Sequence, residues 1–215
     1  MTGPRELGLP SSLLLSTRNP HKVREFARLL GMAGVAVEPL PEGVRLPPEV
    51  GETFADNALP KARAAAAATG RVAIADDSGI EAEALGGRPG ERSARYAGED
   101  AGDEENLRKL LAEAPTGSAL RYVCALAWVD PETEQEHVVF GECRGTLAER
   151  VAGEGGFGYD PAFLPDPPGG TAADGSESDL SARTMAELSD EEKDAISHRG
   201  RAVRALLRWL AERGD

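Results

Sequence analysis

The sequence predicts an α/β protein with a mixed β-sheet, and three features carry that expectation. An apolar run, Leu13 to Ser16, leads through a tight turn into a helix. A second buried-type run, Val72 to Ala75, follows an alanine-rich helix. A third, Leu120 to Val129, is apolar on both faces and is followed at once by a turn and another strand. The first two arrangements belong to parallel strand–helix units, the last to a hairpin, so the sheet is mixed.

Each element has a local cause. Asn19 is a good N-cap and Pro20 a good first helical residue. Val23, Phe26, Ala27 and Leu30 then share one face, and Gly31 ends the helix. A short strand near Val35 to Glu38 enters a Pro-rich loop, Pro39 to Gly51. The next helix starts at Thr53 and runs to Gly70, with Pro60 expected to kink its first turns. Val72 to Ala75 is a buried-type strand that ends in Asp76-Asp77-Ser78-Gly79, a sequence that also suits a turn, before a further strand-like stretch, Ile80 to Leu85, a glycine-rich loop, and a helix around Glu104 to Glu113. Asp130-Pro131-Glu132-Thr133 turns the central strand into a partner near His137 to Arg144. Ser189 and Glu192 form a capping-box pattern, and Val203, Leu206, Leu207 and Leu210 stripe a C-terminal helix.

Length and composition bound the function. The 215 residues suit one domain, with 40% hydrophobic and 28% charged residues supporting a real core. A net charge of −13 argues against a protein that wraps duplex nucleic acid, while leaving room for a local basic pocket. No run reaches the roughly 18 apolar residues that span a bilayer, and the first residues lack a signal-peptide stretch, so the expected location is cytoplasmic, without a membrane partner. Cys124 and Cys143 have no CxxC spacing and the three histidines are scattered, so any metal is expected on oxygen ligands. Residues 166–183, rich in Pro, Gly, Ser and Asp, read as a mobile insertion.

Four segments carry candidate chemistry. In Ser16-Thr17-Arg18-Asn19-Pro20-His21-Lys22, helix N-terminal N–H groups and a lysine suit a phosphate, although an ordinary capped helix with a surface lysine has the same pattern. Asp76 and Asp77 face opposite sides of a strand, so they form no close dyad; a carboxylate there suits Mg²⁺ or a water. Gly153 to Pro161 contains a literal GxGxxG, but Tyr159-Asp160-Pro161 signals a turn where a dinucleotide site needs a helix. Phe157 and Tyr159 suit stacking on a base or plugging a core. Finally, Lys193, His198 and Arg199 offer donors to an acceptor-rich ring, or form an ordinary surface group.

Together these segments resemble the Ham1/RdgB family of inosine triphosphate pyrophosphatases over nearly the whole span from Leu13 to Leu210. The resemblance rests on Ser-Thr-x-Asn-Pro-x-Lys, Gly-Glu-Thr-Phe-x-x-Asn-Ala with Lys61, Ala-Asp-Asp-Ser-Gly, Leu-Gly-Gly-x-Pro-Gly, Ser-Ala-Arg-Tyr, Gly-Gly-Phe-Gly-Tyr-Asp-Pro, and Ala-Glu-Leu…Glu-Glu-Lys…Ile-Ser-His-Arg. It implies a single ITPase-like domain over residues 1–215, elongated and two-lobed, with a long mixed sheet and a central substrate cleft. It also implies a homodimer that uses Mg²⁺ to hydrolyse ITP, dITP and XTP to the monophosphate and pyrophosphate. Carried over residue by residue, it makes Ser16, Thr17, Arg18, Asn19, Pro20, His21, Lys22 and Lys61 the triphosphate cradle and Asp77 the base that activates water. Ser78 becomes a substrate contact, Glu49 the second metal carboxylate beside Asp77, and Phe157, Gly158, Tyr159, Asp160, Lys193, His198 and Arg199 the base-holding group. Two departures stand out. Arg18 replaces the family's usual Gly or small residue, and the spacer before Thr184 is longer than usual. The related Maf-type pyrophosphatases carry a Ser-Pro-Arg-Arg signature that is absent here, and a silent nucleotide binder has less use for two carboxylates beside a polyanion.

Overall fold

In the computed structural model, which describes residues 9–167 and 183–213, six strands lie in one sheet in the order β2-β1-β3-β4-β5-β6. They are β1 (Ser12–Leu15), β2 (Ala36–Pro39), β3 (Ala73–Ala82), β4 (Ala119–Asp130), β5 (Gln135–Leu147) and β6 (Phe163–Pro165). β1 is parallel to β2 and β3, pairing Leu15 with Pro39 and with Ile74, whereas β5 and β6 are antiparallel. The sheet is mixed, as the sequence predicts. The helices are α1 (Pro20–Gly31), α2 (Phe54–Thr69), α3 (Asp103–Glu113), α4 (Asp190–Ile196) and α5 (His198–Arg213).

The chain divides into two compact units. Among the described residues, the first comprises 9–77, 124–141 and 199–213, and the second 78–123, 142–167 and 183–198. Each has its own core. In the first, Phe26, Leu29 and Leu30 of α1 and Val203, Leu206 and Leu210 of α5 pack with Leu13, Leu15 and Ile74 and with Leu126 and Trp128 of β4. In the second, Ile80, Tyr122, Leu147 and Phe163 gather with Leu107 and Leu110 of α3 and with Met185 and Ile196.

Capping follows the sequence closely. The Asn19 side chain accepts from the N–H groups of His21 and Lys22, Thr53 caps α2, and the Ser189–Glu192 capping box is formed. The helix α2 continues through Pro60 and ends at Gly70, whose φ of 65° suits a residue without a Cβ. The Asp130 carboxylate accepts from the N–H of Glu132 and fixes the turn between β4 and β5.

The strand end expected at Asp76-Asp77-Ser78-Gly79, with its alternative reading as a turn, is corrected by the structure. These residues lie in the middle of one ten-residue strand, β3, and the stretch after Ala82 is a 3₁₀ turn, Glu83–Leu85. Turn propensity loses here because both aspartates find hydrogen-bonding partners outside the strand, Asp76 in Lys22 and Asp77 in Asn57. Most of the expected insertion at 166–183 lies outside the described residues. Among the described residues, no helix is long and apolar enough to cross a membrane.

Phe26 is fully buried in the first core, so Phe26→Ala is expected to lower unfolding free energy by about 3–5 kcal/mol, read from urea denaturation. A loss under about 1 kcal/mol would show that this core collapses onto the cavity.

Candidate functional site

In the first unit, the end of β1 passes into α1 through a turn held by its own polar groups. The Ser16 hydroxyl donates to the Lys61 carbonyl at 2.9 Å, tying the strand end to α2, and the Ser16 N–H donates to the Ile74 carbonyl. The Asn19 N–H donates to the Thr17 hydroxyl, while the N–H groups of His21 and Lys22 go to the Asn19 side chain at 2.9 and 3.3 Å. Pro20 has no N–H to offer. The helix N–H groups expected to meet phosphate are thus engaged by the cap in this structure, and the Lys22 ammonium is the turn's cationic group nearest β3. It lies 2.9 Å from Asp76. His21 Nδ1 is 2.9 Å from the Arg24 guanidinium.

Arg18, the departure noted in the sequence, has a defined task. Its guanidinium donates to the carbonyls of Pro41, Glu42 and Val44 at 3.1, 3.1 and 2.8 Å, so it clamps the Pro-rich loop to this turn. That loop runs on to Glu49. The Lys61 ammonium, buried on α2, donates to Glu49 Oε1 at 2.5 Å and to the Asp76 carbonyl at 2.8 Å, and lies 3.8 Å from Asp77 Oδ1. The other Asp77 oxygen accepts from Asn57 Nδ2 at 3.0 Å.

Burial and charge treat these groups unequally. Burial opposes ionisation of Asp76, but Lys22 and Arg199 hold its carboxyl well below the usual carboxylate range. For Asp77 burial prevails and pushes the carboxyl up, despite Lys61 and Lys22. Glu49 is lowered, because the Lys61 ammonium outweighs its burial. Burial would lower Lys61, but Asp76, Asp77 and Glu49 together raise it.

Arg199, expected among the base-holding residues, is buried in the first unit. Its guanidinium donates to Glu25 Oε2 at 3.0 Å and to Asp76 Oδ2 at 3.4 Å, the carboxylate that also holds Lys22. The structure therefore engages it with the carboxylates behind the α1 turn.

In the second unit, Asp160 organises the glycine-rich loop. Its Oδ2 accepts from the Phe157 N–H and from the Lys193 ammonium, both at 2.8 Å, and its Oδ1 accepts from the Tyr122 hydroxyl at 3.1 Å. Gly156, with φ of 68°, permits this approach, since a Cβ there would meet Asp160 Oδ2 at 2.1 Å. The Gly158 N–H donates to Asp103 at the start of α3, and the Lys193 ammonium lies 5.4 Å from the centre of the half-buried Phe157 ring. Tyr159 takes the core-plugging alternative: it is buried, and its hydroxyl donates to the Ser93 carbonyl at 2.8 Å. His198 stacks on Tyr122, with ring centres 4.6 Å apart and planes at 6°. Ser78, half-buried, follows Asp77 on β3.

Sequence reasoning missed Asn57, Glu25, Tyr122 and Asp103 as members of these groups. Asn57 stood in the quoted Gly-Glu-Thr-Phe-x-x-Asn-Ala motif, so a signal existed. Glu25 was legible only as a charge amid the apolar periodicity of α1, and Tyr122 only as one of many apolar residues on β4. Among the described residues, no group of three or more His, Cys, Asp or Glu side chains is arranged to hold a metal. A cation here would take Glu49 and Asp77 and complete its shell from water and ligand oxygens, which suits a hard ion bound through one or two carboxylates. The unfavourable burial of ionised Asp77 is what such a cation would offset.

The opposite shifts have opposite consequences for stability. A folded-state pKa raised above the unfolded one makes stability fall as pH rises through that window, so ionised Asp77 subtracts stability at pH 7. The lowered value of Glu49 contributes stability that is present above its unfolded pKa and lost as pH falls through the folded one. With divalent metal chelated, Asp77→Asn is therefore expected to raise the thermal midpoint at pH 7 and Glu49→Gln to lower it. Equal shifts of one sign in the two melts would contradict this.

A model of the Ham1 family matches residues 13–209. The chain is 45% identical to the dITP/XTP pyrophosphatase of Yersinia pseudotuberculosis, over 93% of this chain and 98% of that protein. It is also 45% identical to the dITP/XTP pyrophosphatase of Geobacillus kaustophilus, over 90% and 91%. Among solved structures, a HAM1 protein from Coxiella burnetii superposes with a TM-score of 0.77 at 35% identity, covering 94% of this chain and 100% of that one. The nucleoside-triphosphatase, or dITP/XTP pyrophosphatase, of Mycobacterium abscessus gives 0.65 at 43% identity, covering 91% and 98%. With the family's model spanning β1 to α5 and relatives this similar along nearly their whole length, the chain belongs to the Ham1 family.

Proposed function

We propose that this chain hydrolyses the non-canonical purine nucleoside triphosphates ITP, dITP and XTP to the nucleoside monophosphate and pyrophosphate, with Mg²⁺ as its cofactor. The observation that carries the reading is Asp77. It is a buried carboxylate whose proton affinity is raised by burial, held by a neutral amide, with Lys61 and Glu49 beside it. A buried carboxylate held in this way beside a lysine and a second carboxylate is placed to accept a proton from water. The names carried by the relatives support the same substrate class.

The roles follow from the chemistry of the residues. Ser16, Thr17, Asn19, Pro20, His21, Lys22 and Lys61 form the triphosphate side, with Lys22 and Lys61 as the cations and Arg18 keeping the neighbouring loop in place. Asp77 accepts the proton from the attacking water, and Ser78 contacts the substrate. Glu49 and Asp77 hold Mg²⁺, which when bound neutralises phosphate charge. Phe157, Gly158, Asp160, Lys193 and His198 hold the base, with Tyr159 fixing their loop from inside the core. Arg199, paired with Asp76 and Glu25, belongs to the base-holding group in this proposal. Hypoxanthine and xanthine present a carbonyl at position 6 where adenine presents an amino group. A donor directed there is left unpaired by adenine, at a cost of about 1–3 kcal/mol, or roughly 5- to 150-fold.

The proposed setting is the cytoplasm, with residues 1–215 acting as one ITPase-like domain in a homodimer and with neither nucleic acid nor membrane as partner. The net charge of −13 supports the exclusion of nucleic acid.

Pyrophosphate and orthophosphate release from ITP, dITP, XTP, dATP and dGTP with Mg²⁺ tests the reading. Pyrophosphate is expected from the first three, with little from the others, and Asp77→Asn is expected to lower kcat by about 10²–10⁴-fold. No pyrophosphate from any of them, or an undiminished Asp77→Asn enzyme, would overturn it.

A further inference from the structure

We propose that Asn57 is a positioning residue: its side-chain amide joins the backbone of the Glu49 loop to the Asp77 carboxylate and so sets the two proposed metal carboxylates against each other. This rests on the functional reading above. Asn57 is 3% exposed, near the start of α2. Its Oδ1 accepts from the Gly51 N–H at 2.7 Å and its Nδ2 donates to Asp77 Oδ2 at 3.0 Å. The partners dictate the amide's orientation, since an N–H needs an acceptor and a carboxylate needs a donor. Asparagine alone supplies both at this length. Aspartate would set a second carboxylate against Asp77, leucine would leave both partners unmet, and glutamine is longer by a methylene.

The loop side of this link is equally tight. A Cβ on Gly51 would lie 2.5 Å from Asp56 Cβ and 2.8 Å from Asn57 Oδ1, so the loop backbone rests directly on α2 at the point where the amide grips it. Gly51 is two residues from Glu49, whose carboxylate reaches the Lys61 ammonium at 2.5 Å. On the other side, by taking Asp77 Oδ2, the amide leaves Oδ1 as the oxygen turned toward Lys61, 3.8 Å away. Asn57 therefore decides two things at once: where the Glu49 loop sits, and which oxygen of Asp77 faces Lys61, the partner of Glu49. It does so without adding charge, which a cation in its place would spend against the metal.

The test uses two variants that attack the link from opposite ends, Asn57→Leu and Gly51→Ala, with Glu49→Gln as a reference. Mn²⁺ binding to the nucleotide-free protein is read by electron paramagnetic resonance. In parallel, kcat, KM for dITP at saturating Mg²⁺, and the Mg²⁺ concentration for half-maximal rate are measured. Both variants are expected to raise the Mn²⁺ Kd and the Mg²⁺ half-saturation by about 10- to 100-fold, with KM for dITP changed less than about threefold. A loss of folded protein alone would lower kcat and leave both metal constants where they were. Wild-type metal constants in Gly51→Ala, whose altered residue lies in a loop outside the cores, would overturn the proposal whether or not Asn57→Leu folds. If the wild-type protein released no pyrophosphate from dITP, the functional reading would fail separately, and the Mn²⁺ measurement would still decide the role of Asn57.

Discussion

Two consecutive aspartates in the middle of a buried strand impose most of the organisation around them. Their side chains leave β3 on opposite faces, and each anion taken out of water needs a partner or must give up its charge. On one face the requirement brings Lys22 from α1 and Arg199 from α5 to Asp76, and Arg199 in turn recruits Glu25. On the other, Asn57 and Lys61, both from α2, meet Asp77, and Lys61 recruits Glu49. Three helices and the Pro-rich loop are thereby indexed to one strand by charge, while the apolar contacts of Phe26, Leu206 and Leu210 supply the non-directional burial. On the Asp76 face, removing one member leaves the others buried and uncompensated, so Lys22, Asp76, Arg199 and Glu25 act as a unit.

The second unit solves a similar problem around Asp160. A glycine-rich loop has too little side chain to pack and needs its backbone fixed by other means. The Asp160 carboxylate does this by taking the Phe157 N–H on one oxygen while Lys193 balances its charge. Tyr122 then links the carboxylate to His198, through a hydrogen bond at one end of the ring and a stacked face along it. Asp103 secures Gly158. A loop with literal GxGxxG spacing thus ends as a carboxylate-centred turn that runs into a three-residue 3₁₀ turn, Asp160–Ala162, and then β6, rather than into an α-helix.

Elements with a local cause were legible in the sequence. The Asn19-Pro20 start of α1, the Thr53 cap, the Ser189–Glu192 box and the doubly apolar β4 each announce themselves within a few residues, and the structure has them within about two positions. The strand β3 was misread as a strand and a turn because Asp-Asp-Ser-Gly has turn propensity, and the charges that overrule it come from residues 22, 61 and 199. The same distance in sequence explains the site. Which residues bear polar chemistry could be read, and core-plugging was one of two readings of Tyr159, but not that Arg199 would face Glu25 or that Arg18 would be occupied by three carbonyls of its neighbouring loop. The motif spelled out the residue types, and only tertiary contacts assign their bonds.

Neighbouring residues of one type end with opposite proton affinities, and the reason lies in what is placed against them. Asp76 has two cations at hydrogen-bonding range, Lys22 and Arg199, so its negative charge is balanced twice over in the folded chain. It is a fixed anion, suited to holding the turn and helices around it. Asp77 receives a neutral amide at 3.0 Å and an ammonium only at 3.8 Å, one already committed to Glu49 at 2.5 Å. Its charge is therefore underpaid by the protein. An underbalanced buried carboxylate attracts either a proton or a metal cation, which are the two partners its proposed role requires. The amide at that position gives Asp77 a neutral partner where Asp76 has two cations, and that difference separates two adjacent residues of one type.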